Sequence, residues 1–456
     1  MYRYLNFFIL LFSFTSLIAQ VNEKISELYF EGNEYILSEE YTEALPIFLE
    51  LLEIRKTANF HYKVGECYLH LPNRKDKAIP FLEKAVENVN SDYDPADPSV
   101  KHAPLNAMLY LGRAYRINND IDKAVQVFNA LSDSVAEREQ TVIDAITREI
   151  EICENARLFL ESPVSFDSTN LGPNINDHFS NYGAVVTADS GKMYFMNALK
   201  FYDAIMESIK ENGRWSKADN ITMKLKSDGD FYITDISEDG TKLLFYFYNI
   251  LTMGDIYESN FTDGEWSPIT KLKGAINTEY NETHATISAD GKTMYFTSNR
   301  PAGNGGLDIY SSTLNDSGEW IDPAHLCNSI NTSKNEDTPF ITNNGQVLYF
   351  ASEGHFNMGE FDVFKALRLP DDRWSKPKNL GYPVNNTDVN LFYYPHNDGK
   401  SLFLTKYSRT GEGQQDILKF WNITEPMLKK FKIKTKIATG DSAVKNAPQV
   451  DLTVFK

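Results

Sequence analysis

Asp290-Gly291-Lys292-Thr293-Met294-Tyr295-Phe296-Thr297-Ser298-Asn299-Arg300, followed by Gly303-Asn304-Gly305-Gly306-Leu307-Asp308-Ile309-Tyr310, is the stretch on which the fold turns. Asp-Gly and Asn-Gly suit a two-residue type I′ turn, because both central residues need positive φ. The apolar run Met294 to Phe296 reads as a strand leaving that turn, and Asp308 opens the next strand. The same text recurs as Ser190-Gly191, Asp239-Gly240, Asn344-Gly345 and Asp398-Gly399, with the five glycines 49, 51, 54 and 54 residues apart. Each unit then carries an acid at the head of a second strand: Asp203, Asp255, Asp308, Asp362 and Asp416. A tryptophan follows in four of them, Trp215, Trp266, Trp320 and Trp374, 11 or 12 residues beyond the acid. Four short strands per unit at this spacing predict the blades of a β-propeller.

The linkers leaving the blades share a pattern that ends Ile276-Asn277, Ile330-Asn331 and Val384-Asn385, and it appears once before the first blade as Ile175-Asn176. The strand at 164–167 therefore precedes the first blade as an outer strand with no blade of its own, while the fifth unit stops near Phe420 without one. Residues 164–167 are expected to complete the fifth blade and so remove the exposed edges of an open ring. A sixth, degenerate blade is the alternative.

Upstream, the pattern changes from period 2 to helical. Gly32 is followed by Tyr35, Ala44 and Phe48 at +3, +12 and +16, and Gly112 by Tyr115, Ala124 and Phe128 at the same offsets. Gly65 and Tyr68 give a third copy, with Ala78 and Ala85 displaced by one residue through the turn at Pro72-Asn73. Small residues at such positions let antiparallel helices approach closely. Gly65 and Gly112 lie 47 residues apart where 33 separate Gly32 and Gly65, so the Asp-Pro-rich stretch 91–102 reads as an inserted loop. Ile143, Ile146, Ile150 and Cys153 share one helical face of a long helix at 137–160, which caps the array.

These helical positions resemble the tetratricopeptide repeat, and the Asp290 to Tyr310 text resembles the WD-repeat-like propeller repeat of TolB-type periplasmic proteins. The combination is similar to the front half of OmpA-family envelope proteins, some of which serve type IX secretion and gliding. The resemblance implies a multidomain α and β chain: a tetratricopeptide-like helical array at 22–160, a five-bladed β-propeller at 164–423, and at 427–456 the start of a regulatory-type β-sandwich. In such proteins a peptidoglycan-binding domain usually follows; nothing up to Lys456 matches one, so either the protein is a shortened relative or the chain continues.

Residues 1–19 read as a secretory signal peptide: Arg3, an apolar core and a small residue at Ala19, too short to span a bilayer. A periplasmic protein, associated with the outer membrane and without a membrane span after cleavage, is expected. The net charge of −18 argues against nucleic acid. Cys67, Cys153 and Cys327 form neither a disulfide framework nor a metal spacing, and Cys67 and Cys153 read as small buried hydrophobes.

No hydrolase elbow, P-loop, zinc motif or EF-hand loop is present, so no catalytic residue, cofactor or metal is assigned. Asn299 and Arg300 follow an inner strand and could present donors to a carboxylate, or Arg300 could clamp a neighbouring blade's carboxylate. His178 and His284 precede first strands, where side chains can face the central mouth. Asp308, Asp362 and Asp416 are expected to hold strand starts rather than metal, and Lys432, Lys434 and Lys436 to line a solvated strand face. The resulting expectation is a non-enzymatic scaffold that joins envelope proteins through the helices and the propeller, with peptidoglycan a partner if a further domain follows. The alternatives are glycan or peptidoglycan-fragment binding at the propeller mouth, and a hydrolase.

Overall fold

The computed structural model describes residues 2–72, 74–135, 139–249, 253–396, 400–407 and 415–424. The chain divides into two compact units, one built on helices and one on strands. The expected strands at 427–456, with their lysine run, and the turn Asp398-Gly399 lie outside the described residues.

The helices are α1 (Tyr2–Leu37), α2 (Tyr41–Ile54), α3 (Ala58–His70), α4 (Ala78–Ala85), α5 (Asn106–Ile117), α6 (Ile121–Ser134) and α7 (Gln140–Glu161), the first six and α7 as far as Glu154 belonging to the helical unit. No helix among the described residues is long and apolar enough to cross a membrane. The glycines explain how the helices pair. A Cβ on Gly32 would stand 2.8 Å from the Phe48 ring, and one on Gly65 2.5 Å from Leu82 Cγ. On Gly112 it would collide with Phe128. Glycine therefore lets α1, α3 and α5 approach α2, α4 and α6 closely, and the large side chain opposite fills the space. Thr57 caps α3 by accepting from Phe60 N at 3.1 Å. Cys67 and Cys153 are buried, and burial pushes the Cys67 thiol up to about 12.

The strand unit is a five-bladed propeller. Blade 1 runs Ser180–Val186, Lys192–Ala198 and Asp203–Glu211, with an outer edge in two pieces, Arg214–Trp215 and Asp219–Asn220. Blade 2 repeats this with Phe231–Ile236, Lys242–Asn249, Met253–Thr262, Glu265–Trp266 and Thr270–Lys271. Blade 3 is Glu282–Ile287, Thr293–Ser298, Asp308–Leu314 and Trp320–His325. Blade 4 is Glu336–Ile341, Val347–Ser352, Asp362–Leu367 and Lys378–Asn379. Blade 5 takes Tyr393–Pro395, Ser401–Tyr407 and Gln415–Trp421 from one end of the sequence and Asp167–Asn170 from the other. Phe195, Phe245, Phe296 and Phe350, one from each second strand of blades 1 to 4, are fully buried between the sheets.

Two details differ from the sequence reading. The closing strand is Asp167–Asn170, paired Asp167 with Trp421 through Asn170 with Leu418, rather than 164–167. Two of the earlier residues are apolar because they anchor the entry: Val164 is buried with its N–H on Tyr382 O, and Phe166 stacks on Phe420 at 4.9 Å. The ladder residues themselves are all exposed, as an outer edge requires. In blade 1, Ser190 (φ 57°) occupies the left-handed position held by Gly240 (φ 71°), Gly291 (φ 69°) and Gly345 (φ 66°), so the glycine register used for that turn is one residue late.

The recurring linker asparagine has a clear task. Asn277 Oδ1 accepts from Ile256 N at 2.7 Å, and its Nδ2 donates to Ile256 O at 2.9 Å. Asn331 does the same to Ile309 and Asn385 to Val363. Each amide imitates one rung of a ladder and ties the linker to the third strand of the blade it leaves.

Candidate functional site at the propeller axis

Inner strands line a propeller's axis, and here they are irregular. Register shifts fall between Ile233 and Asp235, between Glu282 and Ala285, and between Asp337 and Phe340. Bulges re-aim side chains; the residues they release are Thr234, Thr283 with His284, and Thr338 with Pro339.

Deeper in the ring the axis is closed. Asp235 of blade 2 accepts from Thr286 Oγ1 of blade 3 at 2.7 Å and from Ile287 N at 3.1 Å. Its other oxygen accepts from the Tyr394 hydroxyl of blade 5 at 3.2 Å. Blades 2 and 5 are not neighbours, so this bond crosses the axis. Thr286 Oγ1 receives Ile341 N of blade 4 at 3.5 Å, and the Tyr394 hydroxyl meets the backbone of Val186 in blade 1. Blades 3 and 5 thus meet blade 2 on one buried carboxyl, and blades 4 and 1 join the network through Thr286 and Tyr394. Burial pushes Asp235 up to about 6, against the lowering effect of its donors, and pushes the Tyr394 hydroxyl well above its usual range.

At the end of the axis where the inner strands begin sits His284. Its Nδ1 lies 2.9 Å from Asp337 Oδ1 of blade 4, which also accepts from Thr283 Oγ1 and from Thr338 N, each at 2.7 Å. Burial would raise Asp337, but His284 and these donors hold its carboxyl below the ordinary range. With Asp337 ionised, Nδ1 carries the proton and the other ring nitrogen is presented elsewhere. Such a pair can orient an imidazole to accept or pass a proton. The Tyr246 ring stacks on His284 at 5.9 Å, and Tyr393 donates to Thr338 O at 2.5 Å. Tyr232 donates to Asp203 at 3.2 Å; burial raises that carboxyl. The hydroxyl oxygens of Thr234 and Thr338 are buried without a hydrogen-bond partner among the described residues. Buried hydroxyls without partners are uncommon and invite a ligand or water.

The other residues singled out by sequence lie elsewhere. His178 is exposed with its ring against Phe179, 4.0 Å between centroids. Arg300 is a clamp between blade 3 and the linker that leaves blade 2: Nη2 donates to Ile276 O of that linker at 2.5 Å and reaches Glu282 Oε1 of its own blade at 3.3 Å, and Nε donates to Ser298 Oγ at 3.0 Å. Its guanidinium also lies over the Phe296 and Tyr310 rings. The neighbouring Asn299 accepts from Asn281 N at 2.8 Å. Asp308 accepts from Gly305 N, and Asp362 from Met358 N and Asn379 Nδ2, so these acids tie loops to strand starts. No group of acids, histidines or cysteines arranged to hold a metal occurs among the described residues.

Sequence reasoning passed over Asp235, Asp337 and Tyr394. The available signal was an ionisable residue inside an apolar inner strand, Phe-Tyr-Ile-Thr-Asp235-Ile, although which blade it would reach is not written locally. It also passed over an apolar surface. Phe201 (85% exposed) follows the second strand of blade 1, Met223 (81% exposed) lies in the linker to blade 2, and exposed Tyr248 and Met253 flank the equivalent loop of blade 2. Strand direction puts these loops on one face of the ring. Tyr202 joins them, packed against Gly229 and hydrogen-bonded by Asn220 Nδ2 at 3.0 Å. Beside them Met223, Lys226, Ser227, Asp228, Phe231 and Ile269 line a shallow hollow of about 550 Å³.

No protein-family model matches the chain, and no curated protein does. Among solved structures it is similar to TolB from Acinetobacter baumannii at 15% identity and a TM-score of 0.34, over 54% of this chain and 55% of that one. It is also similar to an endo-arabinase from Bacteroides thetaiotaomicron at 16% identity and a TM-score of 0.37, over 58% of this chain and 98% of that one. The catalytic domain of a Coprinopsis cinerea GH62 alpha-L-arabinofuranosidase stands at 8% and 0.38, over 58% and 99%. The chain spans about half the length of the Acinetobacter protein it matches. These likenesses concern the propeller fold alone. They correct one expectation: the chain was expected not to be an enzyme, and glycoside hydrolases are among the structures its propeller is similar to, so that exclusion is withdrawn.

Proposed function

We propose that this protein is a periplasmic scaffold, associated with the outer membrane, that joins protein partners in a cell-envelope assembly of the kind that serves type IX secretion or gliding. Its helices act as a tetratricopeptide-like array and its propeller as a rigid disc. The observation that carries the reading is the apolar face of blades 1 and 2, where Phe201 and Met223 stand almost fully in solvent beside Tyr202, Tyr248 and Met253. Contiguous exposed apolar surface on a folded domain marks an interaction site. The test is pull-down after envelope crosslinking with wild type and with Phe201→Ser/Met223→Ser. Recovery of the same protein partners with wild type and their loss with the variant, at unchanged melting temperature, is expected; no reproducible partner with wild type would refute the reading.

The second reading, a glycan or peptidoglycan fragment bound at the mouth, is favoured by the unpaired Thr234 and Thr338 hydroxyls near an aromatic wall at Tyr246. Calorimetry with muropeptides should then show binding that His284→Ala weakens about tenfold, the worth of one good hydrogen bond. Absence of heat at millimolar fragment would remove it.

A further inference from the structure

Asp203 is not the counterpart of the other acids that open third strands. The blades align on their buried phenylalanines: Phe195 pairs with Met206, Phe245 with Tyr257, Phe296 with Tyr310 and Phe350 with Phe364. Two places before those partners stand Ala204, Asp255, Asp308 and Asp362. Asp203 thus comes one residue early, and because side chains alternate along a strand it faces the opposite side of its sheet. The acids in register are spent on structure. Asp255 has Lys271 Nζ at 2.7 Å, Asp308 has His325 Nε2 at 3.4 Å, and Asp362 holds Met358 N and Asn379 Nδ2.

Asp203 turns instead to two inner strands. Tyr232 of blade 2 donates to its Oδ2 at 3.2 Å, and the Tyr182 hydroxyl of blade 1 is its second hydrogen-bond partner. The charge that acts on it is that of exposed Asp230, another acid. Neither carboxyl forms an ion pair among the described residues. Burial pushes the Asp203 carboxyl up against the effect of the two phenols, and Asp230 adds to the rise. A half-buried carboxylate with neutral donors alone lacks the cation that Asp255 was given.

Its surroundings are the apolar face of blades 1 and 2. Asp203 directly follows Phe201 and Tyr202, the Tyr182 ring lies 5.3 Å from Phe392, and Tyr232 lies 6.4 Å from Tyr246. Tyrosine rings favour a cation beside them. Arginine among aromatic contacts, ringed by groups that exclude water, is what interface hot spots are made of. Lys200, over the Phe201 ring at 5.2 Å, and exposed Lys224 and Lys226 stand at the rim, where they repel a uniformly basic segment. The hollow beside them offers Met223, Phe231 and Ile269 to an apolar side chain.

We propose that this face takes a protein segment with a single arginine or lysine, seated on Asp203 beside Tyr182 and Tyr232, among apolar and acidic neighbours. The inference rests on the scaffold reading and names the chemistry of its partner.

The probe is a random-peptide library displayed on phage and panned against the full chain, with Phe201→Ser/Met223→Ser for counter-selection. Enriched sequences should share one basic position among apolar and acidic residues. Synthesised and labelled, they should bind Asp203→Asn at least about tenfold more weakly than wild type by fluorescence anisotropy, and Asp230→Asn about threefold. Replacing the basic residue by glutamine should cost wild type as much and Asp203→Asn little, the mark of a direct pair. Asparagine keeps one acceptor and removes a buried charge, so Asp203→Asn should melt no lower than wild type at pH 8. A lower melting temperature would make Asp203 structural and overturn the proposal. No enrichment, enrichment without a basic position, or equal binding to Asp203→Asn would overturn it too. So would another occupant: flotation with vesicles of phosphatidylethanolamine and phosphatidylglycerol, or self-association in sedimentation, either one lost with Phe201→Ser/Met223→Ser. Crosslinked partners that the double variant loses and Asp203→Asn keeps would refute this inference and leave the scaffold reading standing.

Discussion

Arg300→Met is the perturbation for which the molecule supplies its own control. In blade 3, Glu282 is fully buried and accepts from Thr278 N and Thr278 Oγ1, each at 2.8 Å, from Ser298 Oγ at 2.6 Å, and from Arg300. In blade 4, Glu336 is equally buried and accepts from Thr332 N at 2.7 Å, Thr332 Oγ1 at 2.8 Å and Ser352 Oγ at 2.6 Å. The residue at the place of Arg300 is Gly354, and His355 Nε2 takes over the bond to the linker carbonyl, Ile330 O, at 2.8 Å. Without a cation, burial pushes Glu336 up to about 7 from the usual 4.5, against the lowering effect of its donors, a difference worth roughly 3 kcal/mol.

Arg300→Met should bring Glu282 into the same state. A carboxyl whose folded pKa lies above its unfolded one favours the fold while protonated, and loses that contribution as pH rises from about 4.5 through about 7. The variant should therefore lose about 1–2 kcal/mol at pH 5, mainly from the carbonyls of Ala275 and Ile276. At pH 8 the loss should be about 3–5 kcal/mol, where a buried carboxylate stands without its cation. Urea unfolding at both pH values, followed by tryptophan fluorescence, measures this. A loss that is the same at pH 5 and pH 8 would show that Arg300 does not offset the burial of Glu282, and the reasoning would fail.

Other consequences can be checked on the same instruments. Asp235, pushed up to about 6 by burial, stabilises the fold below its unfolded pKa and gives that up as pH rises through about 6; Asp235→Asn should flatten the dependence of the urea midpoint on pH between about 4 and 6. Gly112→Ala gains about 1 kcal/mol of helix propensity but forces a Cβ into Phe128, so a net loss of about 1–2 kcal/mol is expected, partly recovered by adding Phe128→Leu, read as melting temperatures. Ser190 has a left-handed backbone and shares a 2.5 Å hydrogen bond with His396. Ser190→Ala keeps the strain and loses the bond, whereas Ser190→Gly loses the bond and relieves the strain; the alanine variant should melt lower, and the reverse order would refute that account.

What the sequence determined by itself was everything with a short period. Blade number, the second strands and the tryptophan hairpins are repeated on a spacing of about 50 residues, and repetition shows in a single chain because each blade solves the same local problem with the same residues. The closing strand was legible to within three residues, because a linker motif appears once too often at the start. The glycines at 32, 65 and 112 were legible for the same reason. Arg300 and His284 drew notice as residue types, yet their surroundings separate them: Arg300 holds a carboxylate of its own blade and the linker entering it, and His284 is joined to a carboxylate of the next blade.

Tertiary structure alone decided the axis and the seat of loop 91–102. Tyr394 meets Asp235 across 159 positions of sequence, and Tyr93 meets Asn59 over 34. A hydrogen bond depends on where two side chains stop in space, and the bulges that turn inner-strand residues toward the axis carry no fixed sequence signature. Periodicity records which face of an element is buried; only the closed ring, and the loop folded back on its helices, determine what each buried polar group finds there.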